Sequence, residues 1–129
     1  MSERPLLILI AGPYRTGTGD DPKLLAANVR AQAEASVVLF RRGHIPLSGE
    51  IICPPIVEAA GSTKVGDAIF DEIFHPYAVR LIERCDAVLR FGGPSVGAEE
   101  MLRLARHHGI RIFSHIDDVP DISTQEAAR

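Results

Sequence analysis

The chain has 129 residues, 46% of them apolar and 24% charged, with a formal net charge of −3. That is one domain of ordinary globular composition, large enough to bury a core without a disulfide or a structural metal. The balance excludes a disordered chain, a collagen, a coiled coil and a disulfide scaffold, and no Lys/Arg cluster marks a nucleic-acid face. No apolar run approaches the roughly 18 residues of a membrane span, and the N-terminal apolar run is too short for a signal peptide. A cytoplasmic location follows as the expectation, with no nucleic-acid partner and no membrane partner. Cys53 and Cys85 form neither a C-x-x-C pair nor a zinc pattern, so they read as free thiols. No metal and no cofactor is expected.

Leu6-Leu7-Ile8-Leu9-Ile10-Ala11 is apolar on both faces and is halted by Gly12-Pro13, which predicts a buried parallel strand. Pro22 to Arg42 predicts a helix. Leu25, Ala26, Val29, Ala33, Ser36, Val37 and Phe40 recur at helical spacing, Asp21-Pro22 supplies an N-cap and a first-turn proline, and Gly43 the stop. His44-Ile45-Pro46-Leu47 reads as a second strand whose proline marks an end or an edge. Gly49 to Gly66 reads as a long irregular segment with one helical turn near Val57-Glu58-Ala59-Ala60. Asp67 to Glu83 reads as helical, with Pro76 breaking or kinking it. Asp86 to Phe91 is the third strand, Gly92-Gly93-Pro94-Ser95 a turn, and Val96 to His108 a helix with Ala98, Met101, Leu102 and Ala105 inward. Gly109 stops that helix and Ile110 to Phe113 is the fourth strand. From Asp117 onward the chain holds a short fifth piece or frays.

The order β-α-β-α-β-α-β predicts an α/β fold, a small doubly wound, flavodoxin- or Rossmann-like three-layer sandwich on a four- to five-stranded parallel sheet. Residues 1–129 form a single domain. In such sheets ligands bind at the carboxyl ends of the strands near the switch point. Three segments lie there: Gly12 to Asp20, Ser48 to Gly66, and Gly92 to Gly97.

The first segment combines Gly12, Pro13, Arg15, Gly17 and Gly19 with the hydroxyls of Thr16 and Thr18. Glycines let backbone approach an anion, and an arginine forks onto phosphate oxygens. It is not a P-loop, because Thr18 stands where the lysine belongs, nor a dinucleotide G-x-G-x-x-G. The plainer reading is a flexible turn. The third segment runs through Ser95 and Gly97 into a helix N-terminus, which suits a phosphate or carboxylate. There the plainer reading makes Ser95 an N-cap, and Glu99 and Glu100 first-turn acids favoured by the dipole. Asp67, Asp71 and Glu72 share a helical face, either solvated or lining the cleft. His75 enters the cleft region without a second histidine at ligand spacing, so no metal site is read there. Asp86, at the amino end of its strand, reads as structural.

Taken together, Ile10-Ala11-Gly12-Pro13-Tyr14-Arg15, Asn28, Gly43-His44-Ile45-Pro46, Arg84-Cys85-Asp86-Ala87-Val88, Ser95-Val96-Gly97-Ala98, Ala105 and Gly109-Ile110 form an ordered set. In that order and spacing they resemble the nucleoside 2-deoxyribosyltransferase-like superfamily, which includes deoxynucleoside 5′-monophosphate N-glycosidase-like proteins. The likeness spans residues 6–113. It implies cleavage or transfer at the N-glycosidic bond of a (deoxy)nucleoside or its 5′-monophosphate. The sugar passes through an oxocarbenium-like state stabilised by a carboxylate, and the leaving base takes a proton from a nearby acid. By the resemblance Gly12, Pro13, Arg15, Gly17, Gly19, Ser95 and Gly97 hold the phosphate, and Tyr14 faces the sugar or base. Arg15 favours a monophosphate, because an unpaired buried guanidinium is costly.

Two positions depart from the pattern. Met101 stands where the superfamily glutamate falls, and Ala78 where a second acid is common. Glu100 or Glu99 is then the candidate nucleophile or electrostatic stabiliser, and Asp71, Glu72, His75 or Tyr77 the substitute for the second acid. The alternative is a nucleotide-binding or sensing module that has lost the superfamily acids. A third reading is a different hydrolase with His75 as base. The resemblance also implies a homodimer or higher homo-oligomer, for which Ile51-Ile52-Cys53-Pro54-Pro55-Ile56 is a candidate contact.

Overall fold

The computed structural model describes residues 4–124. Four strands, β1 (Leu7–Ala11), β2 (Ile45–Leu47), β3 (Ala87–Arg90) and β4 (Arg111–Phe113), form one parallel sheet in the order β2-β1-β3-β4. β1 sits inside the sheet because it is apolar on both sides: Ile8 and Ile10 face one helical layer, Leu9 and Ala11 the other. The register sets Leu9 between Leu47 and Val88. β2 is an edge strand, which fits Pro46, a residue with no N–H to give to a further neighbour.

Helix α1 (Pro22–Arg41) covers one face. Its Ala35 and Leu39 pack on Ile8, Ile10, Ala87 and Leu89. The Asp21 side chain accepts from the Lys23 N–H at its start. At its end Gly43 takes a φ of 97°, and the N–H groups of Gly43 and His44 return to the Phe40 and Leu39 carbonyls at 2.9 and 3.1 Å. Helix α2 spans Gly49–Ala59. Helices α3 (Ala68–Ile82) and α4 (Val96–His107) cover the other face, where Ile82, Ala98, Met101, Leu102 and Ala105 meet Leu9, Ala11 and Val88. Each fully buried leucine or isoleucine in these layers contributes about 1.5–3 kcal/mol. The result is the doubly wound three-layer sandwich expected from the sequence. Cys53 and Cys85 are buried free thiols. Among the described residues no helix is long and apolar enough to cross a membrane.

Two elements differ from expectation. The segment read as irregular begins with helix α2, which carries Pro54 and Pro55 inside it. Those prolines remove the N–H groups that would bond the Glu50 and Ile51 carbonyls. Tertiary packing keeps the helix: Cys53 and Val57 are buried in a cluster with Tyr14, Leu25 and Phe70 beyond the end of the sheet. Likewise α3 runs as one helix through Pro76, held between α2 and α4. The segment around Asp117 opens with a 3-10 turn, Ile116–Asp118, tied to Arg42 through the Ile116 and Val119 carbonyls. What was expected of the chain end beyond residue 124 lies outside the described residues.

Candidate functional site

The chain leaves β1 for β2 on one side and returns to β3 on the other, so the switch point lies above β1 and β3. There the two loops start in contact. The Phe91 N–H donates to the Ala11 carbonyl at 3.0 Å. A Cβ on Gly12 would lie 2.8 Å from the Phe91 ring and 2.9 Å from its carbonyl oxygen, so only glycine fits. Above this contact the loops part around a cleft of about 630 Å³, the size of a small-molecule site.

The floor of the first loop is held from α1. Asn28 donates to the Tyr14 carbonyl at 2.8 Å and Gln32 to the Pro13 carbonyl at 3.2 Å. The loop then folds on itself: the Thr18 hydroxyl donates to the Arg15 carbonyl (2.6 Å) and accepts from the Asp20 N–H (3.0 Å). The Thr16 hydroxyl accepts from the Val96 N–H at 3.0 Å, and Ser95 caps α4 by accepting from the Ala98 N–H at 3.0 Å. Loop and helix start are therefore one unit. Arg15 is bound at two points by Asp20, at 2.9 and 2.8 Å. The guanidinium already has a carboxylate partner, and an anion at this end competes with Asp20 for it.

One wall is aromatic. Tyr14 stacks near Phe74 with ring centres 5.5 Å apart, and Phe74 on Phe70 at 4.5 Å. Such rings offer a flat apolar surface to a heteroaromatic group. Burial raises the Tyr14 phenol above its ordinary range, with the Glu50 charge adding to the effect.

Of the residues singled out in the sequence, Gly12, Tyr14, Arg15, Gly19, Asp71, His75, Ser95 and Gly97 line this cleft. Pro13 and Gly17 do not. Pro13 packs under the loop close to Gly92, and Gly17 forms the turn at a φ of 79°. Glu99 and Glu100 also lie outside it, on a shallow groove beside Arg103. Glu99 accepts from Arg90 at 3.0 Å, and Arg90 in turn donates to the Phe91 and Gly93 carbonyls. Glu100 accepts two bonds from Arg103, which hold its carboxyl below the ordinary range. The helix dictates this. Ala98, Met101, Leu102 and Ala105 turn inward, and steps of about 100° carry residues 99 and 100 outward.

The glutamate that does line the cleft, beside Asp20 and Asp71, is Glu50, in the first turn of α2. Sequence reasoning had marked its segment but not the residue. The available signal was Ser48-Gly49-Glu50 directly after the second strand, an N-cap position followed by a first-turn acid. The prolines behind it hid the helix. Burial pushes this carboxyl up to about 7, against the pull of its own backbone N–H. Behind it a narrow annex of about 70 Å³ is walled by Phe74, His75, Ala78 and Met101.

Fold and cleft together define an α/β domain with a switch-point cleft suited to a small molecule. Compared with family models and with curated proteins, the chain matches none.

Proposed function

We propose that the cleft takes a nucleoside or its 5′-monophosphate and that the protein cleaves or transfers at the N-glycosidic bond. The observation that carries this reading is Glu50: a carboxyl raised to about 7 in the same cleft as the Tyr14–Phe74–Phe70 wall. A carboxyl with that affinity for its proton serves as a general acid near neutral pH. The base stacks on the aromatic wall. As the C1′–N bond breaks, its electron pair goes to the base and Glu50 supplies the proton. Asp71, from α3, offers its carboxylate to the positive charge that develops on the sugar. C1′ then bonds to a water oxygen or to the nitrogen of a second base, whose O–H or N–H proton passes to the Glu50 carboxylate and restores the acid. The resemblance to the nucleoside 2-deoxyribosyltransferase-like superfamily supports the same chemistry, with Asp71 in place of the carboxylate lost at Met101 and Glu50 in place of the second acid lost at Ala78.

The annex favours a second reading. Met101 and Ala78, at the positions where that superfamily carries acids, give it apolar walls. A module that binds a nucleotide without turning it over fits those walls. Chromatography of base release from ribo- and deoxynucleosides and their 5′-monophosphates, with and without a free acceptor base, separates the two. Base release supports the enzyme, and a new nucleoside formed only with acceptor makes it a transferase. Binding of the same compounds without release, over long incubation at high protein concentration, makes it the binding module.

A further inference from the structure

Ser48 holds the N-cap position of α2, yet its side chain makes no cap bond. A serine there ordinarily accepts from a first-turn N–H, which is worth about 1 kcal/mol. Here the hydroxyl turns inward and meets the Gln32 Oε1 at 2.5 Å. Gln32 is wholly buried and Ser48 is 3% exposed. The orientation of the Gln32 amide is set from its other end. Its Nε2 lies 3.2 Å from the Pro13 carbonyl, which only accepts, so the nitrogen must face Pro13 and the oxygen must face Ser48. An amide oxygen also only accepts. The single hydroxyl proton of Ser48 is thereby committed to Gln32. Glu50 Oε2 lies 3.4 Å from the same hydroxyl.

We propose that Gln32 and Ser48 are positioning residues that keep Glu50 neutral and ready to donate: Gln32 claims the Ser48 proton, so Ser48 turns a lone pair toward Glu50. A neutral carboxyl donates to that lone pair. An ionised one opposes it, oxygen against oxygen, unless Ser48 leaves Gln32 and strands a wholly buried amide oxygen. The order of protons along Pro13, Gln32, Ser48 and Glu50 is thus read from the donors and acceptors themselves. Burial of Glu50 acts in the same direction and outweighs the lowering that Ser48 and Gln32 exert if they donate to an ionised Glu50; with its one proton given to Gln32, Ser48 has none left for that role.

The other charged and titratable groups around Glu50 come from three elements. Tyr14 and the Arg15–Asp20 pair lie on the first loop, Cys53 on α2 itself, and Asp71 and His75 on α3. α1 contributes only the uncharged Gln32 among the described residues in this chain of bonds. The use of Glu50 as the acid of the reaction rests on the function proposed above; its protonation state does not.

The test is a direct titration of Glu50 in the full chain by carbon-13 NMR of labelled glutamate side chains, with Glu50→Gln assigning the signal. The wild-type midpoint is expected at about 7. Gln32→Met frees the Ser48 proton for Glu50 and is expected to lower the midpoint by about one unit, a tenfold change in acidity. Gln32→Met with Ser48→Ala has no hydroxyl to donate and is expected to show a clearly smaller fall. An unchanged or raised midpoint in Gln32→Met overturns the proposal. So does an equal fall in the double variant, which would mean that water entered the site. Should Gln32→Met not fold, Ser48→Ala decides alone. It lowers the midpoint if Ser48 offers a lone pair, and raises it if Ser48 donates. The titration needs no substrate, so shifts of the expected sign in a protein that releases no base retain this inference and remove only the glycosidic reading.

Discussion

Arg15 and Asp20 close a two-point ion pair at the mouth of the cleft, Nε to Oδ1 at 2.9 Å and Nη2 to Oδ2 at 2.8 Å. Hydrogen bonds from Arg15 hold the Asp20 carboxyl below its ordinary range. A 5′-phosphate that uses Arg15 must displace this carboxylate. Asp20→Asn is therefore expected to strengthen binding of 5′-monophosphates, by up to about fivefold given the modest worth of an exposed pair. Nucleosides should bind as before. Calorimetric titration of both ligand classes against both proteins checks this.

Glu50 makes stability depend on pH. Its folded value of about 7 lies above the 4.5 of an ordinary glutamate, so the folded state binds the extra proton between them. The stabilisation is present below about pH 4.5 and is lost as pH rises through about 7. The loss amounts to at most about 3 kcal/mol. Urea unfolding at pH 5 and pH 8 is expected to show this decline in wild type relative to Glu50→Gln, which cannot ionise.

Asp67 acts in the opposite sense. It caps α3 and accepts from the Phe70, Thr63 and Lys64 N–H groups and from the Ser62 hydroxyl. The backbone bonds, that from Phe70 first, pull its carboxyl down to about 2. Its contribution is present above about pH 4 and is lost as pH falls through about 2. Asp67→Asn should lower the Tm at pH 7 and narrow the difference from wild type at pH 2, as followed by circular dichroism.

Gly12 fixes the spacing of the two loops. A methyl group there meets the Phe91 ring and also the Phe91 carbonyl oxygen, which as backbone cannot turn away. Gly12→Ala should cost about 1–3 kcal/mol and weaken ligand binding together with stability. Thermal unfolding and a binding titration on one sample measure both.

The sheet was legible because β1 and β3 are apolar on both faces and each is bounded by glycine or proline. Gly43 and Gly109 marked the ends of α1 and α4 for a simple reason, the turn each helix takes after its last residue. α2 was not legible. Pro54 and Pro55 are local signals against a helix, and the burial of Cys53 and Val57 that outweighs them is a tertiary fact. The same holds for Pro76 in α3. In the site, Tyr14, Arg15, Ser95 and Gly97 were readable from their place after strands. Glu50 was not, because its raised affinity for a proton comes from burial among elements far away in sequence. Glu99 and Glu100 drew notice as the acids beside Met101, but their arginine partners and the face of α4 they occupy are set by packing.

The central claim is that Glu50 supplies the proton at the glycosidic bond and that neither Glu99 nor Glu100 acts there as nucleophile or stabiliser. The most direct measurement is base release by wild type, Glu50→Gln, Glu99→Gln and Glu100→Gln on the best substrate of the nucleoside and monophosphate panel. The expected result is a fall of roughly 10²–10⁴-fold for Glu50→Gln and near wild-type rates for the other two. Undiminished release by Glu50→Gln, or its loss in Glu99→Gln or Glu100→Gln alone, would contradict it.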